Sequence, residues 1–322
     1  MLLIVTKIYD PTADYVCERM KKRNILFVRI NLDEVVASGT LEIDPVKILW
    51  SINTSKTIIH SHDISAIWQR RVPVIKAESG NSLVDEYISK EWRLAWEWWL
   101  NLQPDHIILD PEWRLKRAAN KFLQLQTATH LGLRVPETLV TSDPDAFKRF
   151  FSKHNTIVAK LLGGFGKVSQ PEQRFWTIYT NKLTEEDLRR AMSLRKAPVI
   201  FQEGIDKEFE IRTTLVGNQF FSCRINSKKS VRTQTDWRRY DFHNVPHSVI
   251  ELPVEISEKL LQMARVLGIH FASFDLAVTP EGEYVLFEMN PNSQWVWIEN
   301  LTSMPITDAL IDVLQNKVFC SY

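Results

Sequence analysis

Residues 271–292 have the sequence FASFDLAVTPEGEYVLFEMNPN, and this stretch decides the fold. Two mainly apolar runs, 271–278 and 283–290, flank the turn-forming segment Thr-Pro-Glu-Gly. Such a pair of runs is typical of an antiparallel β-hairpin. If the loop spans 280–283, Thr279 pairs with Tyr284, and the same register places Asp275 opposite Glu288.

The predicted hairpin brings three oxygen-bearing side chains together. Glu288 and Asn290 are two residues apart on one strand and therefore share a face, and Asp275 lies across from Glu288. Two opposed carboxylates repel each other, so removing either one should relieve repulsion, and a divalent cation between them would make a binding site. Oxygen donors without His or Cys suit Mg²⁺ or Mn²⁺. A solvated hairpin whose carboxylates pair with nearby Lys or Arg is about equally consistent with these residues alone.

A glycine-rich segment follows a predicted strand at 156–160. Lys160 ends this strand, and glycines follow at 163, 164 and 166. A loop of this kind beside a lysine is able to wrap a polyphosphate with its backbone N–H groups. The segment has neither the GxxxxGK[ST] spacing nor the GxGxxG fingerprint, because Ser169 occupies the third glycine position. An ordinary loop between strands is the alternative.

Charged residues also mark the strand-rich last third of the chain. Glu210 and Arg212 alternate on a predicted strand and share a face, where the Arg212 fork suits a phosphate or a carboxylate. Segment 226–240 is basic, but its aromatic residues do not interleave with the basic ones as in a nucleic-acid-binding module. A solvated hairpin is the ordinary interpretation of this segment, although Asp236-Trp237-Arg238 mixes acid, aromatic and base.

Composition excludes several classes of protein. The 322 residues include 40 Lys plus Arg and 39 Asp plus Glu, and a net charge of +1 gives no global reason to bind nucleic acid or an anionic membrane. Hydrophobic (44%) and charged (25%) fractions are those of a globular protein, which excludes disorder, collagen and coiled coil. The apolar runs are too short for a signal peptide or a membrane span. Three scattered cysteines (Cys17, Cys223 and Cys320) fit a reducing cytoplasm and argue against a disulfide framework and a zinc site.

The order of predicted elements divides the chain into three segments. Residues 1–110 alternate strands (2–6, 25–31, 48–52, 65–69) with helices, a βαβ pattern that predicts a parallel sheet. Segment 111–197 begins with a helix at 115–131, and segment 198–322 is rich in strands. The fold class is therefore α/β. A helix at 82–102 carries four of the 11 tryptophans, which favours burial in the core, with a dimer interface as the alternative.

In order along the chain, these segments resemble an ATP-grasp ligase with an N-terminal pre-ATP-grasp domain (1–110), a central lobe (111–197) and a C-terminal lobe (198–322). The matching segments are Asn-Lys-Phe-Leu-Gln-Leu-Gln at 120–126, Leu-Gly-Leu-Arg-Val-Pro-Glu-Thr at 131–138, Lys160 with its glycine loop, Phe-Gln-Glu-Gly-Ile at 201–205, Glu-Ile-Arg at 210–212, Asp275, and Phe-Glu-Met-Asn-Pro-Asn at 287–292. Trp-Gln-Arg-Arg at 68–71 and Asn-Pro-Asn-Ser-Gln-Trp-Val-Trp-Ile-Glu at 290–299 resemble the microviridin-type peptide ligases, the graspetide synthetases. Ser293 and Ser303 stand where such sequences more often carry glycine.

The resemblance implies ATP and one or two Mg²⁺ (or Mn²⁺) as cofactors, and a precursor peptide, with a leader and an acidic, hydroxyl-rich core, as partner. It implies a cytoplasmic homodimer that activates Asp or Glu side chains of the peptide and closes ω-ester or ω-amide rings. The implied ATP-binding residues are Lys121, Lys160, Gly164, Gln202, Glu203, Ile205 and Glu210, and the metal ligands are Asp275, Glu288 and Asn290. The implied catalytic residues are Arg212, Asp236 and Arg238, and the peptide-binding residues are Glu186, Asp187 and Arg224.

Other interpretations stay open at this point. Within ligases, the chain could join an amino acid to a small peptide or a protein tail, as glutathione synthetase or a ribosomal-protein glutamate ligase does. Outside enzymes, it could be an ATP-binding protein without catalysis, although the retained metal ligands, lysines and Arg212 argue against that. Glu186 and Asp187 lie in the first turn of a predicted helix, where the helix dipole favours acids without any partner.

Overall fold

A computed structural model describes residues 1–54, 56–71, 77, 79–163, 180–230, 244–317 and 319, together with the backbone of 166–169 and 175–178. The N-terminal elements are β1 (Leu2–Thr6), α1 (Pro11–Lys22), β2 (Phe27–Asn31), α2 (Leu32–Ser38), β3 (Thr40–Asp44), β4 (Leu49–Asn53), β5 (Ile58–His60), β6 (Ala66–Gln69), α3 (Ser82–Leu102) and β7 (Ile108–Leu109). The predicted parallel sheet is present, in the order β2-β1-β6-β7. β4 does not belong to it, because it pairs antiparallel with β3 and β5 in a separate sheet.

The tryptophan-rich helix α3 covers the parallel sheet. Trp96 and Trp99 are fully buried, and Trp99 packs edge-on against Trp50 at 5.1 Å between ring centroids. Its neighbour Trp98 is 66% exposed. The expected core role is therefore confirmed for the inward face of the helix, while the outward face leaves a large apolar side chain in contact with solvent.

The central elements are α4 (Glu112–Ala118), α5 (Lys121–His130), β8 (Thr138–Thr141), α6 (Pro144–Lys153), β9 (Ile157–Lys160), β10 (Gly166–Ser169), β11 (Phe175–Ile178), β12 (Asn181–Lys182), α7 (Glu185–Arg189) and β13 (Val199–Glu203). The single helix predicted over 115–131 is wrong, because Asn120 interrupts it and its side chain caps α5 by accepting from the N–H groups of Phe122 and Leu123. β13 pairs with both β8 and β9 in the sheet β12-β9-β13-β8. We therefore propose that the change of lobe follows Glu203.

The C-terminal elements are β14 (Phe209–Val216), β15 (Gln219–Ile225), β16 (His247–Val249), α8 (Val254–Leu267), β17 (Phe271–Val278), β18 (Tyr284–Pro291), α9 (Val296–Thr302) and α10 (Ile306–Asn316). The five strands form an antiparallel sheet in the order β16-β15-β14-β17-β18. One face packs on α8 through residues such as Phe274 and Leu276, and the other carries the polar residues of the predicted site. Ser303 ends α9 with φ of 58°, the left-handed conformation that explains why glycine is common there in similar sequences.

The N-terminal sheet contacts this C-terminal unit directly. Trp68 on β6 packs against Trp295, and both belong to one apolar cluster with α1 and α10. Asp110, the residue after β7, accepts hydrogen bonds from the backbone N–H groups of His270 and Phe271 at 2.9 and 2.8 Å. Among the described residues, no helix is both long and apolar enough to cross a membrane.

The neighbouring tryptophans of α3 allow a matched test of the core. Trp99→Ala should lower the free energy of unfolding by about 3–5 kcal/mol, because it removes a fully buried ring. Trp98→Ala, one residue away in the same helix, should change it by no more than about 0.5 kcal/mol, because its ring is mostly exposed. Guanidinium denaturation followed by circular dichroism measures both values, and equal losses would contradict the assigned faces of α3.

Candidate active site

The centre of the candidate site is the row of residues that the pairing of β14, β17 and β18 aligns. Arg212 pairs with Asp275, and Asp275 pairs with Glu288. The predicted opposition of the two carboxylates is confirmed, but the register predicted next to the turn, with Thr279 opposite Tyr284, was wrong. Near the turn Val278 pairs with Tyr284, and a β-bulge at Phe287 then shifts the register by one residue before Asp275.

The carboxylates are held by donors from three directions. Arg212 donates through Nη1 to Asp275 Oδ2 at 2.6 Å, and both side chains are more than 90% buried. Asn290 donates through Nδ2 to the same oxygen at 2.9 Å and to Glu288 Oε1 at 3.3 Å. Lys121 Nζ lies 3.6 Å from Glu288 Oε2. The like charges that would repel each other are therefore balanced by a guanidinium, an amide and an ammonium.

The chemistry of this donor set fits a hard divalent cation. Asp275 and Glu288 supply carboxylate oxygens at one end of a cleft, and neither is exposed on an outer surface. Rotation of the Asn290 amide exchanges its nitrogen for its oxygen, which then becomes a third donor of the same kind. Such oxygen-only donors are those that Mg²⁺ and Mn²⁺ prefer. The assignment of these three residues as metal ligands stays a prediction.

A cleft of about 600 Å³ opens beside the carboxylates, between the central sheet and the C-terminal sheet. Its walls come from β9, β13, the segment after β13, and β17 and β18, and they include Val158, Lys160, Lys182, Gln202, Ile205, Lys207, Glu210, Asp275, Phe287 and Glu288. Lys160 Nζ lies 5.1 Å from the centre of the Phe287 ring, a cation–π contact across the cleft. Phe287 is the extra residue of the bulge, so the irregular register is what presents its ring here.

The segment after β13 forms one wall of the cleft by a close backbone approach. Gly204 donates its N–H to the carbonyl of Thr156 at 2.7 Å, and a Cβ at this position would lie 2.2 Å from Thr156 Cγ2. Only glycine therefore fits without displacement. Gln202 donates to Thr138 Oγ1 at 2.9 Å, while its buried Oε1 accepts no hydrogen bond from any described residue.

Two solved structures resemble this chain over almost its whole length. Macrocyclase MdnC bound with precursor peptide MdnA, from Microcystis aeruginosa MRC, is 28% identical with a TM-score of 0.86, and the match covers 98% of this chain and 99% of that one. The RiPP-associated ATP-grasp ligase of Chryseobacterium gregarium, in complex with ADP and a leader and core peptide, is 28% identical with a TM-score of 0.89, covering 98% and 96%. This chain has the ATP-grasp fold. The resemblance to peptide-maturing ATP-grasp ligases that its ordered motifs predict is confirmed.

A curated protein is also similar in sequence. Probable alpha-L-glutamate ligase 1 of Hahella chejuensis (strain KCTC 2396) is 25% identical over 207 residues, which are 63% of this chain and 65% of that protein. The match therefore spans a little under two thirds of that relative. No protein-family model matches the sequence.

The ATP-grasp cleft contains a buried ion pair that the sequence analysis missed. Lys207 donates to Glu210 Oε1 at 2.7 Å, and both side chains are more than 90% buried. Glu210 shares a face with Arg212 as predicted, since the two alternate along β14. The spacing i, i+3 across the start of a strand carries no recognisable pattern, so only the fold reveals this pair.

A second group of ionisable residues includes Glu203, the last residue of β13. His154 lies between two carboxylates, with Nε2 3.5 Å from Glu137 and Nδ1 3.9 Å from Glu203. Lys153 also binds Glu137, at 2.5 Å, and Arg134 lies 3.9 Å from Glu203. The two imidazole nitrogens face different carboxylates, so this group links the end of α6 to β13, and one ligand atom from each of Glu137, His154 and Glu203 lies within 4.8 Å of the other two.

Several predicted residues are not brought to the cleft. Arg224 pairs with Ile211, on the face of the sheet opposite to Arg212, and its guanidinium lies 3.8 Å from the Phe209 ring centre. Glu186 pairs with Arg190 on α7, and the carboxylate of Asp187 accepts from the Thr184 N–H and hydroxyl at 2.9 Å. Gly164, Asp236 and Arg238 lie outside the described residues. The peptide-binding and catalytic roles of these residues stay predictions.

The close approach at Gly204 gives a test of the cleft wall. Gly204→Ala should lower the free energy of unfolding by about 1–3 kcal/mol, because its Cβ overlaps Thr156 Cγ2. Adding Thr156→Ser removes that methyl group and should restore part of the loss. Gly163→Ala is the control, because a Cβ there meets no described atom within 4 Å. Thermal unfolding of the four proteins measures the effect, and a double variant as unstable as Gly204→Ala would contradict the contact.

The environments of the two carboxylates differ, which corrects the expectation that removing either one relieves repulsion. Asp275→Asn should cost about 1.5–3 kcal/mol without metal, because Arg212 then binds a neutral amide in a buried site. Glu288→Gln should cost no more than about 1 kcal/mol, because Lys121 is partly exposed and 3.6 Å away. Thermal unfolding in the presence of EDTA distinguishes them, and a larger loss for Glu288→Gln would reverse this assignment.

Proposed function

We propose that this chain is an ATP-dependent carboxylate ligase that activates Asp or Glu side chains of a ribosomally made precursor peptide and closes ω-ester or ω-amide macrocycles. The observation that carries the proposal is the row Arg212–Asp275–Glu288, of which Asp275 and Glu288 line a cleft of about 600 Å³ together with Lys160. Phosphoryl transfer needs positioned charges of both signs around the phosphates, and this row supplies them.

ATP would occupy the cleft between the two sheets. Segment 202–205 would contact the adenine through backbone and side-chain groups, and the buried Gln202 Oε1 is an acceptor that an amino group could satisfy. Lys160 and Lys121 would neutralise the phosphates from β9 and α5, with the glycine loop around Gly164 covering them. Glu210 lines the same cleft beside Lys207.

Asp275, Glu288 and Asn290 would hold one or two Mg²⁺ ions, and Mn²⁺ is an alternative. When bound, Mg²⁺ neutralises phosphate charge and so favours transfer of the terminal phosphoryl group. Among the protein's own residues, Arg212 fixes the orientation of the Asp275 carboxylate and places a permanent positive charge beside it. It is the best candidate to stabilise the charge that spreads over the transferring oxygens.

The proposed reaction consists of two displacement steps, formation of an acyl phosphate and its attack by a second group of the peptide. A substrate carboxylate oxygen attacks the γ-phosphorus, the bond to the oxygen bridging to the β-phosphorus breaks, and ADP leaves. A hydroxyl or amine of the same peptide then attacks the acyl carbon, loses its proton, and displaces inorganic phosphate. One ester or amide bond forms for each ATP, and the peptide loses the elements of one water.

The peptide would be bound in two places. Glu186 and Asp187 on α7 would bind a basic group of the leader, and Arg238 with Asp236 would engage the carboxylate of the core, as the resemblance implies. Arg224 would contact the peptide from the far face of the β14–β15 pair. The neighbouring structures with bound peptides support a peptide partner of this kind.

We also propose that the enzyme is a cytoplasmic homodimer. The outward face of α3, with Trp98, Tyr87 and Leu83 exposed, is the candidate contact surface. Cys17 and Cys223 are buried free thiols, in keeping with a reducing compartment.

A second function is favoured by the similarity to a probable glutamate ligase. In that case the activated carboxylate would belong to a small peptide or a protein tail, and the attacking group would be the amine of a free amino acid. The cleft and the charged row would serve both reactions, so the substrate alone distinguishes them.

Mass spectrometry separates these possibilities. Purified protein with ATP, Mg²⁺ and a short Thr- and Glu-rich precursor peptide should yield peptide that has lost ~18 Da for each ring. Glu288→Gln should abolish the loss. A gain of one amino-acid residue when free glutamate is supplied would instead support the glutamate ligase. No change in mass, together with ATP hydrolysis that the peptide does not stimulate, would contradict both.

A further inference from the structure

Arg70 lies at the junction of the N-terminal sheet and the metal-binding hairpin. It directly follows β6, and only 1% of its surface is exposed. Nη1 donates to the backbone oxygen of Asn292 at 2.6 Å and to its Oδ1 at 2.9 Å. The Asn292 amide donates in return to the carbonyls of Arg70 at 2.5 Å and Gln69 at 3.3 Å. Two residues that are 222 positions apart are thus joined by reciprocal hydrogen bonds.

This guanidinium has no counter-ion within the described part of the chain. No carboxylate there lies at ion-pair distance, and Nε and Nη2 of Arg70 are buried without a hydrogen-bond partner. Its remaining contact is the Trp295 ring, 5.5 Å away. Burial, and then the charge of Arg71, lower the pKa of Arg70 to about 10. The charge of Asp10 opposes this shift, but among the described residues it is not close enough to form an ion pair with Arg70. A buried charge without an ion pair is unfavourable for stability, so stability does not explain it.

Arg70 fixes the end of β18, the strand that carries Glu288 and Asn290, two of the three candidate metal ligands. Asn292 follows Asn290 by two residues and has φ of 52°, a left-handed conformation that its contacts with β6 maintain. Ser293 is hydrogen-bonded to Ser273, which pairs with Asn290 across the sheet. A displacement of Asn292 would therefore displace Asn290 by two routes. One route runs along the chain from Asn292 to Asn290, and the other runs through the Ser293–Ser273 hydrogen bond and the pairing of Ser273 with Asn290.

The other strand of the hairpin is held from the same sheet. Asp110, after β7, accepts from the N–H groups of His270 and Phe271, where β17 begins. Phe271 also accepts from the Asn292 N–H at 3.4 Å. The carboxyl ends of β6 and β7 thus fix both strands of the hairpin at its open end, four residues from Asp275 and two from Asn290.

We propose that Arg70 is a positioning residue for the divalent cation. By fixing Asn292, it sets where Asn290 and Glu288 lie relative to Asp275, and so ties the metal geometry to the docking of the N-terminal sheet. The inference rests on the proposed function, because it requires these three residues to bind the metal that accompanies the nucleotide. Residues that orient metal ligands from outside typically change metal affinity when they are replaced.

Mn²⁺ binding to protein saturated with ADP, followed by electron paramagnetic resonance of the free ion, tests this role directly. Arg70→Met and Asn292→Gly should each weaken Mn²⁺ binding by about tenfold or more. The affinity for ADP in EDTA should be unchanged in both. Asn292→Gly is the milder variant, because glycine adopts the left-handed conformation freely and only the side-chain contacts are lost.

Arg29→Lys is the matched control. Arg29 lies in the same N-terminal sheet, but it donates to Asn31, to the carbonyls of Lys7 and Ile8 and to Asp14 of α1, all of them within the first 31 residues. Its replacement should reduce thermal stability and leave Mn²⁺ affinity unchanged. The Arg70→Met protein should show the opposite combination, with a melting temperature that holds and weaker metal binding.

The possible results distinguish a failure of this inference from a failure of the proposed function. If wild type binds Mn²⁺ with ADP and the Arg70→Met and Asn292→Gly proteins bind it equally well, Arg70 is structural only and the inference fails alone. If wild type itself binds no Mn²⁺ with ADP, the proposed function fails and the inference fails with it. Loss of Mn²⁺ affinity in Arg29→Lys as well would also overturn the inference, since it would make the effect a general consequence of disturbing the sheet.

Discussion

Asp275 and Glu288 are held opposite each other on paired strands, and the rest of the site is arranged around the repulsion between them. Arg212 from β14 and Lys121 from α5 approach them from opposite sides, and the Asn290 amide lies between. Each of these donors comes from a different part of the chain, so the charges balance only when the central helix and the C-terminal sheet are both in place. The chemistry therefore depends on tertiary structure more than on any one motif.

The cleft owes its shape to two local departures from regular structure. The bulge at Phe287 moves one residue of β18 out of register and supplies an aromatic ring beside Lys160. The absence of a side chain at Gly204 lets the chain leave β13 in contact with Thr156 and form the opposite wall.

The sequence alone predicted those features that depend on local periodicity. The alternation of apolar residues gave the hairpin, the parallel N-terminal sheet and the shared face of Glu210 and Arg212, and ordered motifs were sufficient to recognise the ATP-grasp resemblance. The predicted position of Glu288 opposite Asp275 is correct, but the predicted pairing lacks the β-bulge, because a bulge does not change the pattern of apolar residues along the strand. The prediction also joined α4 and α5 into one helix, since the Asn120 cap lies in a stretch with continuous helical spacing.

The contacts that the sequence could not predict are those between distant segments. The contacts of His154 with Glu203 and of Arg70 with Asn292 each require the packing of elements whose order along the chain says nothing about their approach. The Trp-Gln-Arg-Arg motif was recognised as a resemblance, but nothing in its composition indicates that the first arginine is buried against the end of β18. Sequence patterns report which face of an element is apolar, and they do not report which element covers it.

The position of these distant contacts gives the N-terminal sheet a clear physical role. In open parallel sheets, the carboxyl ends of the strands are where function concentrates, because loops and unpaired backbone groups meet there. Here Arg70 and Asp110 follow two neighbouring strands at that edge, and both bind the metal hairpin of the next unit. Within the residues that the structure describes, Arg70 gains no ion pair from this arrangement, and Asn292 adopts a left-handed conformation in it. Both features oppose stability, and both are accounted for when the edge serves to fix the two strands that carry Asp275, Glu288 and Asn290.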